Sequence, residues 1–535
     1  MFENPTSIVR FFCMKGNIIK SICLLFFLTS VSYASEIRIP KNKAEDTQQI
    51  MSAKFWDAWN DGEQAKIDAD IDKYRKADAC VKIGKIKDGT DVVVEQISHD
   101  FKFGAHIFNF DQLGDNAINA RYKAMYGSLF NSATVAFYWY KFELEQNRPR
   151  FKSEYWDTKE YWNNSKTPQK EMHWRRPAPE NAIKWCKQMG IRIHGHPLVW
   201  DHRIFHTPTW LLDKCLTDPK EREVFLKDII SAFPVHGNRC EKEAYTENYK
   251  KLTGKDLSKM FPIFAQNYKN FLNNHVKRIA EYYGDAVDSW DVVNEAVSAY
   301  ELGRFKDGDK LMKSRGDVIM PADYVYDAFQ SAQKYFPASV KLNINDFKMN
   351  KEYRQLTTEM IDRGCKVDIQ GAQMHLGGKS MLNVANGKLS ERTTPNGVRA
   401  IMKRIYSGRP IHLSEITIGS PDTTHRGQMI QAIITRNMYR IWFSIEHMMG
   451  ITWWNAVDGC GMEKEPTISG ILTRSCNPKP AYYALNELIN KEWKTNFNAK
   501  PDADGNIKFR GFKGRYRLAW FDAYGNEQFK IIEVK

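Results

Sequence analysis

Residues 340–376 read VKLNINDFKMNKEYRQLTTEMIDRGCKVDIQGAQMHL. Two short apolar runs, VKLNIND (340–346) and VDIQGAQMHL (367–376), flank an amphipathic helix candidate at 351–364, which predicts a strand–helix–strand unit. The same rhythm extends outward from it. FKFGAHIF (101–108), SATVAFYW (132–139), IRIHGHPLVW (191–200) and DSWDVVNEA (288–296) precede it, and PIHLSEITI (410–418) and GITWWNAVD (450–458) follow. Helix candidates lie between the runs at 180–189, 264–283, 322–336, 395–407 and 425–446. In 264–283, Phe264, Tyr268, Phe271, Leu272, Val276 and Ile279 fall near helical spacing. Eight strands alternating with helices over about 390 residues predict an α/β fold, a closed parallel (β/α)8 TIM barrel. An open doubly wound sheet shares this rhythm, but no GxGxxG follows the first strand, which weakens its dinucleotide-binding version.

The flanks and the composition set further bounds. The chain has 535 residues, 42% hydrophobic and 13% aromatic, enough core to exclude wholesale disorder. Its 32 Gly and 20 Pro are scattered, which excludes collagen-like and low-complexity chains. Nine cysteines show no CxxC pair and no regular spacing, against a zinc ribbon or disulfide scaffold, while a Cys215–Cys240 bridge stays open. The formal net charge is +14, with lysines spread along the chain rather than gathered on one helix. That pattern gives no nucleic-acid partner; it reads as a solvated basic surface or, more sharply, as attraction to an acidic polysaccharide.

From Met14 the sequence is MKGNIIKSICLLFFLTSVSYA, in which Lys15 and Lys20 precede an apolar run and Ser32 and Ala34 fit a signal-peptidase site. The run is too short to span a membrane. The expectation is a cleaved signal peptide at 1–34 and a secreted or periplasmic monomer without a membrane span. Residues 35–98 follow as an N-terminal helix (charged helical pattern over 50–80) and a small β segment, VKIGKIKDGTDVVVEQIS, alternating around the Lys87–Thr90 turn. The barrel is assigned to 99–492, with a polar insertion at 235–260. Residues 493–535, alternating around Asp504–Asn506 and Tyr524–Asn526, form a small C-terminal β module. Its Tyr516, Trp520 and Tyr524 offer a carbohydrate-binding surface; the alternative is a structural appendage.

In such barrels the working groups sit at the carboxyl ends of strands. Here those ends carry His194, His196, Asp201, Asn294, Glu295, Asn345, Asp346, Gln373, His375, Glu415 and Asp458. A carboxylate within an apolar strand is costly unless satisfied, so Glu295 after WDVVN and Glu415 after IHLS stand out. Either alone reads as a loop-edge acid. On the fourth and seventh strands of a closed barrel they face each other, and a facing carboxylate pair suits cleavage of a glycosidic bond. Tyr138, Trp139, Trp200, Trp453 and Trp454 lie near the same ends, available to stack on sugar faces or to fill core. His194 and His196, two apart on one strand, share a face, which leaves a metal-dependent hydrolase as a rival.

Taken in order, HGHPLVW, WDVVNEA, LNIND, QGAQMHL, LSEITI, ITWWNAVDG and PKPAYYAL resemble glycoside hydrolase family 10, the xylanase family, over about residues 95–490. The resemblance implies a retaining barrel hydrolase that cuts internal β-1,4 bonds of xylan, or of a related β-glycan, with neither metal nor cofactor. It implies Glu295 as acid/base, Glu415 as nucleophile and Asn294 as the holder of the sugar 2-hydroxyl. His196, Gln373 and His375 match polar groups around the cleaved sugar, His375 touching the nucleophile, and Trp200 and Trp454 match aromatic walls. Three places depart from the pattern. Ala136, Phe137 and Tyr140 stand where the family usually has a Glu–Asn pair and a lysine, with Lys141 one place off. Asp201 replaces a common histidine, and Thr417 replaces the acid two residues after the nucleophile. These imply a drifted sugar preference or, taken further, a degenerate polysaccharide-binding protein.

Overall fold

Local signals close each turn of the strand–helix rhythm. Asn350 opens the helix Lys351–Asp362 by accepting from the Tyr353 amide at 3.0 Å, supplying one of the helix's orphan donors with a partner. Gly364, at φ 81°, follows its end in a backbone region that glycine enters without strain. The helix buries Tyr353, Leu356, Thr357 and Met360, one continuous face. The Tyr353 hydroxyl reaches the carbonyls of Ile344, at 3.0 Å, and Gly371, tying the helix to the strands on either side.

The computed structural model describes residues 37–152, 177–200, 207–225, 257–301, 311–313, 319–321, 323–461 and 465–535. The expected leader, Asp201, Cys240 and most of the 235–260 insertion lie outside the described residues. Strands β1 (Lys76–Lys82) and β2 (Val92–His99) precede the barrel. The barrel begins with β3 (Lys102–His106), β4 (Ser132–Ala136) and β5 (Arg192–His196), the last continued by β6 (Val199–Trp200). Then come β7 (Ser289–Asn294), the hairpin β8 (Leu311–Lys313) and β9 (Ile319–Pro321), β10 (Lys341–Asp346), β11 (Ile369–Leu376), β12 (Ile411–Ile418) and β13 (Met448–Trp453). The parallel order is β3-β4-β5-β7-β10-β11-β12-β13, and β13 pairs back onto β3 through Ile451 and Phe103. That last pairing makes a closed (β/α)8 barrel, with no free edge, and removes the open doubly wound sheet.

The two terminal segments build one β module. Strands β14 (Asn496–Ala499), β15 (Asn506–Phe512), β16 (Gly514–Phe521) and β17 (Glu527–Val534) complete the chain. β1 and β2 do not pair with each other across Lys87–Thr90. Instead β1 pairs antiparallel with β15, and β2 lies between β14 and β16. Val81, Val92, Val94, Ile507, Tyr516, Leu518 and Val534 form its core. The helical pattern read over 50–80 divides into Ala53–Ala58 and Asp61–Arg75, with strand from Lys76 onward. Tyr516 corrects the proposed carbohydrate surface: it is fully buried and donates to the Phe512 carbonyl at 2.6 Å. Trp520 is half-buried, and only Tyr524 of the three stands in solvent. Cys215 is buried, and its suggested partner Cys240 is not among the described residues. No helix of the described residues is long and apolar enough to cross a membrane.

Candidate active site

Two register shifts aim the carboxylates. Between β7 and β10, Asp291 faces Asn343 and Val293 faces Ile344, so Val292 is an extra residue. Between β11 and β12, Leu413 faces Ala372 and Glu415 faces Gln373, leaving Ser414 extra. Such bulges re-aim the side chains that follow them. Glu415 is thereby turned into the barrel, 6% exposed. Glu295, just past β7, is half-buried and sits at φ 58°, a left-handed conformation uncommon for a residue with a side chain. Its amide is held by the Asn345 carbonyl at 2.8 Å.

Amide side chains join the two acids. Gln373 Nε2 lies 3.0 Å from Glu415 Oε1, 3.3 Å from Glu295 Oε1 and 3.2 Å from Asn294 Oδ1. Asn345 Nδ2 lies 3.2 Å from Glu415 Oε1 and 2.9 Å from Asn294 Oδ1. The Ser414 hydroxyl donates to Asn345 Oδ1 at 2.5 Å, which fixes the amide with its donor side toward the acid. Asn294 Nδ2 is buried and has no partner among the described residues.

Histidines complete the surroundings of Glu415. His375 Nε2 lies 3.5 Å from Oε2, and its Nδ1 lies 2.9 Å from the Thr417 hydroxyl. His196 Nε2 lies 3.6 Å from Oε1. Behind it, Asp291 Oδ2 accepts from His196 Nδ1 at 2.7 Å and lies 2.9 Å from His194 Nε2. His194 Nδ1 in turn contacts the Ser289 hydroxyl at 2.9 Å. A series Glu415–His196–Asp291–His194–Ser289 thus runs down the barrel. Burial alone would raise the Asp291 carboxyl, but the two imidazoles outweigh it and hold it well below the usual carboxylate range. His194 and His196 do share a face, as their spacing predicts, and what they share there is Asp291.

Apolar walls flank this polar centre. Phe108, Ala136, Tyr138 and Trp454, with Trp200 packed against them, form a cluster separate from the main core. Trp454 and Tyr138 lie 5.5 and 5.3 Å from His196, ring centre to ring centre. β6 pairs Trp200 with Asn294. Trp139, stacked on His275, and Trp453, beside Tyr439, are buried core instead. The second-strand departure also changes meaning. Phe137 is fully buried against Trp290, at 4.5 Å, and faces away from Ala136 and Tyr138. Tyr140 is half-buried beneath the Lys141 ammonium.

Asp346 and Asp458 are not part of the constellation. Asp346 accepts from the amides of Val297 and Lys348, and Asp458 pairs with the buried Lys479 at 3.0 Å. Asp291, Ser414, Phe108 and the placement of Tyr138 were the additions that only the fold supplied. Asp291 carried a usable signal, since a carboxylate inside the apolar run WDVVN needs a partner as much as Glu295 does.

Among known proteins, residues 252–488 match the family model described as glycosyl hydrolase family 10. The chain is 26% identical over 212 residues to endo-1,4-beta-xylanase A of Halalkalibacterium halodurans, covering 39% of this chain and 43% of that protein. It is 27% identical over 272 residues to endo-1,4-beta-xylanase A of Caldicellulosiruptor saccharolyticus, covering 48% and 60%. It is 23% identical over 354 residues to endo-1,4-beta-xylanase B of Thermotoga neapolitana, covering 62% and 82%. The first two matches thus span less than two thirds of those relatives. The crystal structure of xylanase 10B from Thermotoga maritima aligns with a TM-score of 0.47 at 18% identity, over 74% of this chain and 96% of that one.

Proposed function

We propose that this chain is a member of glycosyl hydrolase family 10, whose model matches residues 252–488, and that it is an exported, monomeric, retaining glycoside hydrolase that cleaves β-1,4-xylosidic bonds in xylan. The observation that carries this reading is the single Gln373 nitrogen within 3.0 and 3.3 Å of the two carboxylates. It keeps their nearest oxygens closer than the about 6.5–9.5 Å of inverting pairs and suits the about 5–5.5 Å of retaining ones.

In the first step the Glu415 carboxylate bonds to the anomeric carbon as the bond to the leaving oxygen breaks, and Glu295 gives that oxygen its proton. In the second, Glu295 takes a proton from a water whose oxygen bonds to the anomeric carbon from the face the leaving group vacated, opposite Glu415, as the bond to Glu415 breaks, so the configuration is retained. The buried Asn294 Nδ2 supplies a donor to a sugar hydroxyl, which strengthens discrimination because the group is otherwise unpaired. Gln373, Asn345, His196 and His375 hold Glu415 in place, and Trp200, Trp454 and Tyr138 offer ring faces or edges to the sugar.

The test is sugar release from glucuronoxylan, arabinoxylan and mixed-linkage β-glucan by the purified protein and by Glu415→Ala. Xylo-oligosaccharides that disappear in the variant are expected. Release from β-glucan alone would replace xylan as the substrate, and binding without release would favour a degenerate binding protein. A drifted preference is favoured by one feature, the apolar wall of Ala136 and Tyr138 beside His196. Faster turnover of unsubstituted xylohexaose than of every decorated oligosaccharide would remove that second reading.

A further inference from the structure

The opposite end of the barrel gathers positive charge. β3, β5 and β10 begin with Lys102, Arg192 and Lys341, and a cavity of about 440 Å³ opens beside them. That volume lies within the about 300–1,000 Å³ of small-molecule sites. Arg75 and Lys513 also line it, so five cations face two carboxylates, Asp100 and Asp368. Asp368 is already engaged by Lys341 and Lys366, each at 3.7 Å, and by the Leu342 amide.

The two guanidinium groups are satisfied without being neutralised. Arg75 donates to the carbonyls of Phe443 and Ile445. Arg192 donates to those of Asp100, His99 and Phe101 at 2.6, 3.2 and 3.0 Å. Carbonyl partners fill the N–H groups and leave the charge standing. Lys102 is 9% exposed and has neither a hydrogen bond nor an ion pair to any described residue. Asp288 and Asp100 lie near enough to favour its charged form, but neither pairs with it directly. A buried ammonium without a direct ion-pair partner is costly, and an entering anion relieves that cost.

We propose that this cavity binds a small oxyanion, a phosphate or the carboxylate of a sugar acid, with the Lys102 ammonium as its ion-pair partner. The site is separate from Glu295 and Glu415, and it stands whether or not the chain cleaves xylan. Burial, aided by the charges of Arg192 and Lys341 and opposed by those of Asp288 and Asp100, brings the Lys102 pKa down to about 8. Anion binding therefore weakens as pH rises through that value.

Calorimetric titration and thermal melting of the full protein test this, using inorganic phosphate, sodium glucuronate and sodium chloride at equal ionic strength. Saturable binding at pH 7 is expected for phosphate or glucuronate, with a melting temperature several degrees above that in chloride. A response to phosphate alone identifies a free phosphate site, and a response to glucuronate alone a sugar-acid site. Lys102→Met, which removes the buried charge, is expected to fold and to lose the response. An equal shift in chloride, or an undiminished response in Lys102→Met, overturns the proposal. Should that variant fail to fold, the wild type decides by its pH dependence. Phosphate grows more negative between pH 7 and 9, so affinity that rises or holds over that range also overturns it.

Discussion

Asp291 anchors two imidazoles through one oxygen, and His196 carries that constraint to Glu415. Its folded pKa lies below the about 3.9 of an unfolded aspartate. The stability it contributes is thus fully present above that value and is lost as pH falls through the folded one. Asp291→Asn is expected to cost about 1–3 kcal/mol at pH 7, with the gap to wild type narrowing below about pH 4. Denaturant melts at pH 7 and pH 3 check this, and an equal gap at both would contradict it. Thr417 keeps His375 oriented by a hydroxyl instead of a charge. Thr417→Val removes that bond with little change of shape, so kcat on the proposed xylan substrate should fall by up to about tenfold, the worth of one net hydrogen bond. At this scale the two glutamates were legible because carboxylates in apolar strands demand a reason. Phe137, in a departing position of the family pattern, is buried away from the site. Strand alternation alone puts it opposite Ala136 and Tyr138, which is where it lies.

Among the elements, β5 and β7 approach so closely that only glycine fits at 195. A Cβ there would meet the Trp290 ring at 2.2 Å, and Trp290 is fully buried against Phe137 and Phe336. Gly195→Ala should therefore destabilise by about 1–3 kcal/mol. It should also lower activity, because Trp290 adjoins Asp291 and Gly195 adjoins His196; melting temperature and kcat together check both effects. All eight barrel strands were legible as apolar runs, but their ends were not. The run 132–139 stops being strand at Ala136, since Trp139–Phe142 turns into a short helix. The helix Asn116–Leu129 buries Asn119, Tyr122, Tyr126 and Leu129, a face too polar to announce itself. In β1, KADACVK continues from a charged helix without a breaker, and its partner β15 makes it a strand.

For the molecule as a whole, the terminal segments cannot be treated as removable parts. β2 is hydrogen-bonded on both sides by C-terminal strands, and Glu492 joins Lys41, Arg436 and Arg440. A chain ending at Trp493 would leave β1 and both edges of β2 open, and open edges invite aggregation. Such a truncation is expected to lower the melting temperature and to produce aggregates, whereas loss of a separate binding module would change only polysaccharide affinity. Thermal melting with light scattering distinguishes the two. The pairing was invisible in sequence because neither partner names the other over so long a separation. It also sets an order of events in time. Gln96 reaches the carbonyl of Phe512, 416 residues later. At about 5–20 residues per second, a ribosome takes roughly 20–80 s between them. For that interval the first strands are finished but have nothing to pair with, and the last forty residues act as the latch.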